Sequence, residues 1–343
     1  MSEVATTTAA KLAVPSQPAT VTAYFGQMFN DRPPLKIGSR TSPMAMSQAR
    51  QVQAMLAEVT PDTPTEIVGI ETSGDKWMGD LAQLGGKGAF LKEIDRHLIM
   101  GGIDIAVHCM KDVPGDVPMP EGTLWAAYLA REDVHDVAVF REGSQYVSLE
   151  DVPPGTPIGT SAVRRKAQLL KYRPDLHVDR IRGNVNSRLA RLDTEKQFEA
   201  LVLARSGLRR IGMEHRATEV LPLEIMCPPV GAGVIGLQCR TGDSAIAELL
   251  RLLDHPETRT HITAERTMLS GLQGHCNSPI AGHATTTPDG QLSLHGMVFT
   301  REGGKFAYAH EWDAPERPAE LGAFVSATLL RKGARGIIDG IPH

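Results

Sequence analysis

The chain has 343 residues but only four cysteines, Cys109, Cys227, Cys239 and Cys276, and none are spaced C-x-x-C. That excludes a disulfide framework and fits a reduced, cytoplasmic protein. No run of 18 apolar residues occurs, so no membrane-spanning helix is expected. Residues 1–33 lack the apolar stretch of a secretory signal and read as a flexible N-terminal extension. The net charge of −4 carries no basic excess, which argues against a nucleic-acid partner. Two His-Cys dipeptides, His108-Cys109 and His275-Cys276, invite a metal reading. Neighbours on a strand point to opposite faces and no finger-type spacing is present, so no metal site is expected.

From residue 34 onward, strand and helix signals alternate. "LKIGS" reads as a strand, followed by Ser42-Pro43 as an N-cap and first helical residue. "TEIVGIET" and the β-branched "IDIAVHCM" read as further strands, with a helix "GAFLKEIDRHLIMGG" between them. A second set opens near residue 135 with "DVAVF", "TPIGTS", "LHVDRI" and "FEALVLA", again interleaved with helices. From about residue 256 a helix, a hairpin-like pair and a last helix form a smaller segment. The expectation is two α/β units and a smaller α+β unit, with no repeat visible between them.

Arginine outnumbers lysine 25 to 11, and the positions tell more than the ratio. In open α/β sheets, ligands bind where strand ends lead into helix N-termini. Arg40 and Ser42 follow the first strand, Lys111 and Asp112 follow "IDIAVHCM", and Arg131 follows "WAAYLA". Thr160 and Ser161 precede the helix bearing Arg164 and Arg165, while Arg182 and Arg188 bracket the "RGNVNSR" turn. One such arginine is an ordinary solvated charge; six at equivalent strand ends describe a cleft for a ligand rich in carboxylates or phosphates. Asp112 is the discordant group. It either pairs with a neighbouring cation, balances positive charge developing on a substrate, or moves a proton.

Two glycine motifs fall short. "GAGVIG" (231–236) fits G-x-G-x-x-G but follows two prolines instead of a strand. "GGKGAF" (85–90) is not a Walker loop, although its glycines suggest a lid from which Lys87 could reach an anion. Cys276 lies in "GHCNSPI", a loop composition that leaves packing, nucleophile, ligand and attachment point open.

The stretches "IGSRTSPMAMSQA", "GGKGAFLKE", "DIAVHCMKDVP", "REDVHDV", "GTSAVRRKAQL", "RGNVNSRLARLD" and "AERTMLSGLQGHCNSPI" resemble the porphobilinogen deaminase (hydroxymethylbilane synthase) family in order and spacing. The resemblance covers residues from about 35 to 340. It implies two periplasmic-binding-protein-like (type II) α/β domains, 34–130 with 232–252 and 131–231, and a C-terminal α+β domain, 253–343. It also implies head-to-tail joining of four porphobilinogen molecules, with loss of ammonia, into linear hydroxymethylbilane. The primer implied is a dipyrromethane cofactor bound covalently through Cys276. Asp112 matches the family's catalytic aspartate. Arg40, Arg131, Arg164, Arg165, Arg182 and Arg188 match its carboxylate-binding arginines, and Ser42, Lys87, Lys111, Thr160 and Ser161 match further contacts. The family further implies a monomer, while the charge balance and the lack of a long apolar run speak against a nucleic-acid or membrane partner.

Gln83, Arg205, Ala232, His275 and Asn277 depart from the family's usual residues. Two rival readings remain at this level. A non-catalytic two-lobed binding protein would need neither Cys276 nor Asp112, and a nucleotide-dependent oxidoreductase would need a ribose-binding acid after "GAGVIG".

Overall fold

The computed structural model describes residues 24–26, 28–29, 32–76, 88, 90–274 and 278–340. In chain order the strands of the first half are β1 (Leu35–Arg40), β2 (Thr65–Ile70), β3 (Ile105–Cys109), β4 (Thr123–Tyr128), β5 (Asp136–Phe140), β6 (Pro157–Thr160) and β7 (His177–Arg180). They continue with β8 (Ala200–Ala204), β9 (Glu219–Val220), β10 (Ile235–Arg240), β11 (Ile280–Thr286), β12 (Leu292–Phe299) and β13 (Phe306–Asp313). The principal helices are α1 (Pro43–Val59), α2 (Lys92–Ile99), α3 (Val163–Tyr172), α4 (Val185–Glu195) and α5 (Arg205–Arg210). After them come α6 (Ser244–Arg251), α7 (Pro256–Gly271), α8 (Pro318–Arg331) and α9 (Ala334–Asp339).

The first sheet runs β2-β1-β3-β10-β4, with β1 parallel to β2 and β3, and β10 antiparallel to β3 and β4. The second runs β7-β6-β8-β5-β9, with β6 parallel to β7 and β8, and β5 antiparallel to β8 and β9. Exchanging β6 for β1, β7 for β2, β8 for β3, β5 for β10 and β9 for β4 converts one order into the other. The lobes are thus topological repeats that the residues themselves do not reveal. Each receives its antiparallel strand directly after a crossover from the other lobe: β5 enters the second, and β10 returns to the first.

Local chemistry sets the elements. Ser42 caps α1, its hydroxyl accepting from the Ala45 amide at 3.3 Å, with Pro43 at the first helical position. Ala45, Ala49, Val52 and Leu56 then bury one face of that helix at helical spacing. Strands such as β8, "ALVLA", are buried nearly throughout because helices cover both faces of the sheet.

The packed body begins earlier than the sequence suggests. Phe25 and Phe29, four residues apart, are fully buried against Ile37, Val52 and Leu253 in the first lobe's core. The extension expected over 1–33 is therefore not free along its whole length. Two aromatic rings one helical turn apart remove too much apolar surface from water to remain undocked.

The third unit is an antiparallel sheet, β11-β12-β13, backed by α7 and α8. It touches both lobes. Arg266 on α7 donates to the carbonyls of Val113 and Pro114 in the first lobe. Ala281, Met297 and Phe299 pack on Ala167 of α3 in the second. Among the described residues, no helix is long and apolar enough to cross a membrane.

Candidate active site: a cleft between the two lobes

A cleft of about 490 Å³ separates the lobes, inside the size range of small-molecule sites. Arg40, Ser42, Lys111 and Asp112 line it from the ends of β1 and β3. Ser161 in the loop after β6, Arg164 and Arg165 at the start of α3 and Arg188 in the first turn of α4 line the other side, and Ser278 and Ile280 of the third unit close one side. Eight of the residues singled out in the sequence therefore meet in one place.

Arg40 is held at both edges. Its Nε and Nη2 donate to the Asp75 carboxylate, and its guanidinium stacks on the Phe90 ring at 4.1 Å. Its Nη1 lies 3.7 Å from Asp112. Burial works against the Arg40 charge, but the Asp75 hydrogen bond and the Asp112 charge outweigh it and raise its pKa. Asp75 is correspondingly held below the usual carboxylate range: burial opposes ionisation, and Arg40 and Thr72 overcome it. The Asp112 side chain is 37% exposed and makes no direct hydrogen bond with Lys111 among the described residues. The long approach of Arg40 is its nearest ion pair, so it stands open to the cleft.

Arg164 and Arg165 converge on one buried carboxylate. Arg164 Nη2 donates to Asp136 at 2.5 Å and its Nη1 to the Cys227 carbonyl, while Arg165 binds Asp136 through Nε at 3.0 Å and Nη2 at 2.9 Å. Asp136 is only 2% exposed. Burial would raise its pKa, but the two guanidiniums drive it far below the usual range. Arg188 differs: among the described residues it has no carboxylate partner, and its buried Nε has no hydrogen-bond partner there either. Burial, then repulsion from Arg165 and Arg180, lowers its pKa to about 10. A cation crowded by cations is a site prepared for an anion.

Three expected residues stand elsewhere. Arg131 sits at the junction with the third unit, its Nη1 donating to Glu265 at 2.7 Å and lying 2.9 Å from His283 Nδ1. Thr160 lines an adjoining hollow of about 260 Å³ with Lys166, Arg180 and Arg301. Arg182 is exposed and lies outside the cleft lining. Cys276, Lys87, Gln83, His275 and Asn277 fall outside the described residues; Ser278, two positions beyond Cys276, lines the cleft.

Sequence reading missed Arg210, which lines the cleft and pairs with Glu132 at 2.9 Å. The helix following β8 was the available signal, since it leaves the same strand end as the other basic loops. The departure at Arg205 is an ion network with Asp133 and Glu214, each at 3.0 Å, away from the cleft. "GAGVIG" is where the chain crosses back between lobes. A Cβ on Gly231 would lie 2.7 Å from the Met110 carbonyl carbon, and one on Gly233 would lie 2.4 Å from the Glu132 oxygen. The glycines, both at positive φ, permit that close passage beside Lys111 and do not cradle a nucleotide.

Residues 35–248 match the family description "Porphobilinogen deaminase, dipyromethane cofactor binding domain", and residues 259–331 match "Porphobilinogen deaminase, C-terminal domain". "Porphobilinogen deaminase 2" of Streptomyces coelicolor is 52% identical over 309 residues, 90% of this chain and 97% of the relative. "Porphobilinogen deaminase" of Pelobacter propionicus is 39% identical over 308 residues, with the same coverage. Among solved structures, the methionine-binding protein MetQ shares 12% identity at a TM-score of 0.39, covering 63% of this chain and 86% of its own, too slight a likeness to carry an argument. With both family domains matched in order and a cleft of arginines around one open aspartate, the chain belongs to the porphobilinogen deaminase family, the transferases that polymerise porphobilinogen into hydroxymethylbilane for tetrapyrrole biosynthesis.

Proposed function

We propose that this chain performs the family's reaction in the inter-lobe cleft, with Asp112 as its catalytic carboxylate and Cys276 as the anchor of the dipyrromethane. One observation carries the reading: the open Asp112 lines the same cleft as Lys111 and Arg188, cations that lack acid partners among the described residues. A pyrrole bearing two carboxylates fits that pattern, because its anionic arms meet the cations while its reacting carbon meets the aspartate. The same cations suit a dipyrromethane, whose carboxylates Arg188, Arg165 and Ser161 would hold. When bound, that group supplies the pyrrole carbon on which the chain is extended.

Asp112 balances the positive charge that appears on the substrate as ammonia departs. In a partly desolvated cleft an opposite charge about 4 Å away is worth about 4 kcal/mol. Arg40, fixed by Asp75 and Phe90, orients a substrate carboxylate beside Asp112. Arg131 acts from the domain junction, Thr160 and Arg182 act at the periphery, and Lys87 is assigned as a further contact to the bound carboxylates. We assign residues 34–130 with 232–252, 131–231 and 253–343 to the three domains, and place the protein in the cytoplasm as a monomer that binds no nucleic acid.

Intact mass and turnover test this reading together. The purified protein should exceed its sequence mass by one dipyrromethane, and Cys276→Ser should lose that increment. Asp112→Asn should keep the increment and lose at least about 100-fold in kcat. Near-normal turnover in Asp112→Asn would refute the catalytic role, and an unmodified wild-type mass would refute the anchor.

A further inference from the structure

Two small hollows lie back to back behind Asp112. The inner one, about 50 Å³, adjoins the cleft and is bounded by Arg40, Gln48, His108, Lys111 and Asp112. The outer one, about 80 Å³, lies between α2, the proline-rich stretch after Val113, and Trp125. Leu91 and Val113 line both, so two side chains form the partition. Either hollow has room for a few water-sized molecules, each needing roughly 10–15 Å³.

Polar atoms that are incompletely paired gather around that partition. His108 pairs with Gly236 across β3 and β10, and Gln238 lies two residues further along, so His108 and Gln238 share a face of the sheet. Gln238 also lies beside Asp95 of α2. It is 1% exposed, and its Nε2 donates to Thr123 Oγ1 at 2.9 Å. Gln238 approaches both Asp95 and His108, yet Gln238 Oε1, His108 Nε2 and Asp95 Oδ1 are all buried and none completes a well-formed hydrogen bond among the described residues. So is Nε2 of Gln48, a side chain 4% exposed on the wall of the inner hollow. A buried polar atom left unpaired costs about 1–3 kcal/mol, and several in contact mark a place built for a small hydrogen-bonding molecule.

Asp95, Gln238 and His108 together favour a molecule that donates, whereas Gln48 Nε2 is itself a donor. Burial raises Asp95 to about 6, so it is mostly ionised at neutral pH, and burial holds His108 neutral by lowering it to about 4. A carboxylate oxygen and an amide oxygen only accept, and a neutral imidazole nitrogen can. The charged groups nearby are Lys92 on the same helix as Asp95 and Arg266 on α7, the latter occupied by the Val113 and Pro114 carbonyls.

The family's reaction makes such a donor beside Asp112. At each condensation the bond between the aminomethyl carbon and nitrogen breaks, and the nitrogen leaves with the electron pair. A carbon–carbon bond replaces it, and the accepting pyrrole loses its α-hydrogen as a proton that ammonia can take up. The front of the cleft is then filled by the growing polycarboxylate chain. We propose that the released ammonia leaves through the rear partition, held on its way by Asp95, Gln238 and His108.

The inference rests on the family's reaction, and its test separates the two. The holoenzyme is assayed with added ammonium chloride, against potassium chloride at equal ionic strength, for the wild type, Gln238→Met and Asp95→Asn. Ammonium should inhibit the wild type, with an inhibition constant at least tenfold weaker in both variants and an unchanged KM for porphobilinogen. Independently of turnover, wild-type crystals grown without ammonium and soaked in rubidium chloride should show anomalous density against Asp95 and Gln238. No inhibition in the wild type, equal inhibition in all three proteins, or water alone at the soaked site overturns the rear exit. Absence of ammonia release from porphobilinogen would instead overturn the underlying reaction.

Discussion

Glu265 is the carboxylate on which the junction of all three units depends. It is fully buried on α7 and accepts four contacts: Arg131 Nη1 at 2.7 Å, the Gly231 amide at 2.8 Å, the Ala284 amide at 2.9 Å, and His283 Nδ1 at 3.5 Å. Arg131 begins one crossover between the lobes and Gly231 lies in the other, so this one side chain ties both crossovers to the third unit. Burial alone would raise its pKa; the Arg131 charge, then His283, pulls it from the ordinary 4.5 down to about 2. A depression of that size corresponds to about 3 kcal/mol of stability. Because the folded value is the lower one, this contribution is complete above pH 4.5 and is lost as pH falls from there towards 2. Breaking a buried ion pair by removing one partner costs about 3–5 kcal/mol, so the two routes to the magnitude agree.

Glu265→Gln should therefore lose about 3 kcal/mol in urea unfolding at pH 7, with a thermal midpoint lower by about 6 °C. The loss should shrink as the wild type itself weakens below pH 4.5. Glu265→Gln combined with Arg131→Met removes the stranded charge while keeping one acceptor for the amides, and should recover about half of the deficit. A single variant within about 1 kcal/mol of wild type, or a double variant no more stable than the single, would refute the reasoning.

Arg188→Gln should separate stability from function. A cation whose folded pKa is lowered weakens folding wherever it is charged in the unfolded chain; here the penalty is complete below about pH 10 and fades only above it. The variant should match or exceed wild-type stability at pH 7, while KM for porphobilinogen rises about 10- to 100-fold, the worth of one charged hydrogen bond; a stability loss with unchanged KM would overturn the assignment. Gly231→Ala forces a Cβ towards Met110 at a φ of 76°. It should cost about 1–3 kcal/mol and lower kcat through displacement of Lys111 and Asp112, as read by thermal unfolding and single-turnover rates; wild-type values for both would show that the crossing is slack.

Much of this molecule is local and hence legible in sequence. The cap at Ser42, the buried strand "ALVLA" and the basic strand ends depend on residues close together in the chain, and the structure places them as their chemistry requires. The repeat of the two lobes was hidden because it lies in strand order and direction, which different residues can build equally well. The carboxylates that hold the arginines were hidden for another reason. Asp136 is 28 positions from Arg164, Asp75 is 35 from Arg40, and Glu265 is 134 from Arg131. No periodicity reports pairings at such separations. Arg131 shows where the strand-end rule stops: its position after β4 is right for a cleft, but the third unit packs over that end and takes the side chain for its own junction.

Those distant carboxylates divide the cleft's cations into two kinds. Arg40, Arg164, Arg165 and Arg210 are each bound to a fixed acid, so part of their charge is already balanced and their orientations are set before any ligand arrives. Lys111 and Arg188 have no such acid among the described residues and supply the net attraction. A ligand that gains two carboxylates per added unit needs both kinds: unbalanced charge alone would drive the lobes apart, and balanced charge alone would not hold the chain. Asp112 fits neither group. It is the cleft carboxylate left without a close guanidinium, 3.7 Å from an Arg40 already bound to Asp75. Because Asp75 satisfies Arg40, Asp112 keeps its charge available to the cleft, as its proposed role beside a developing cation requires. Asp75→Asn would let Arg40 turn to Asp112, so a carboxylate outside the cleft lining helps to keep the proposed catalytic one free.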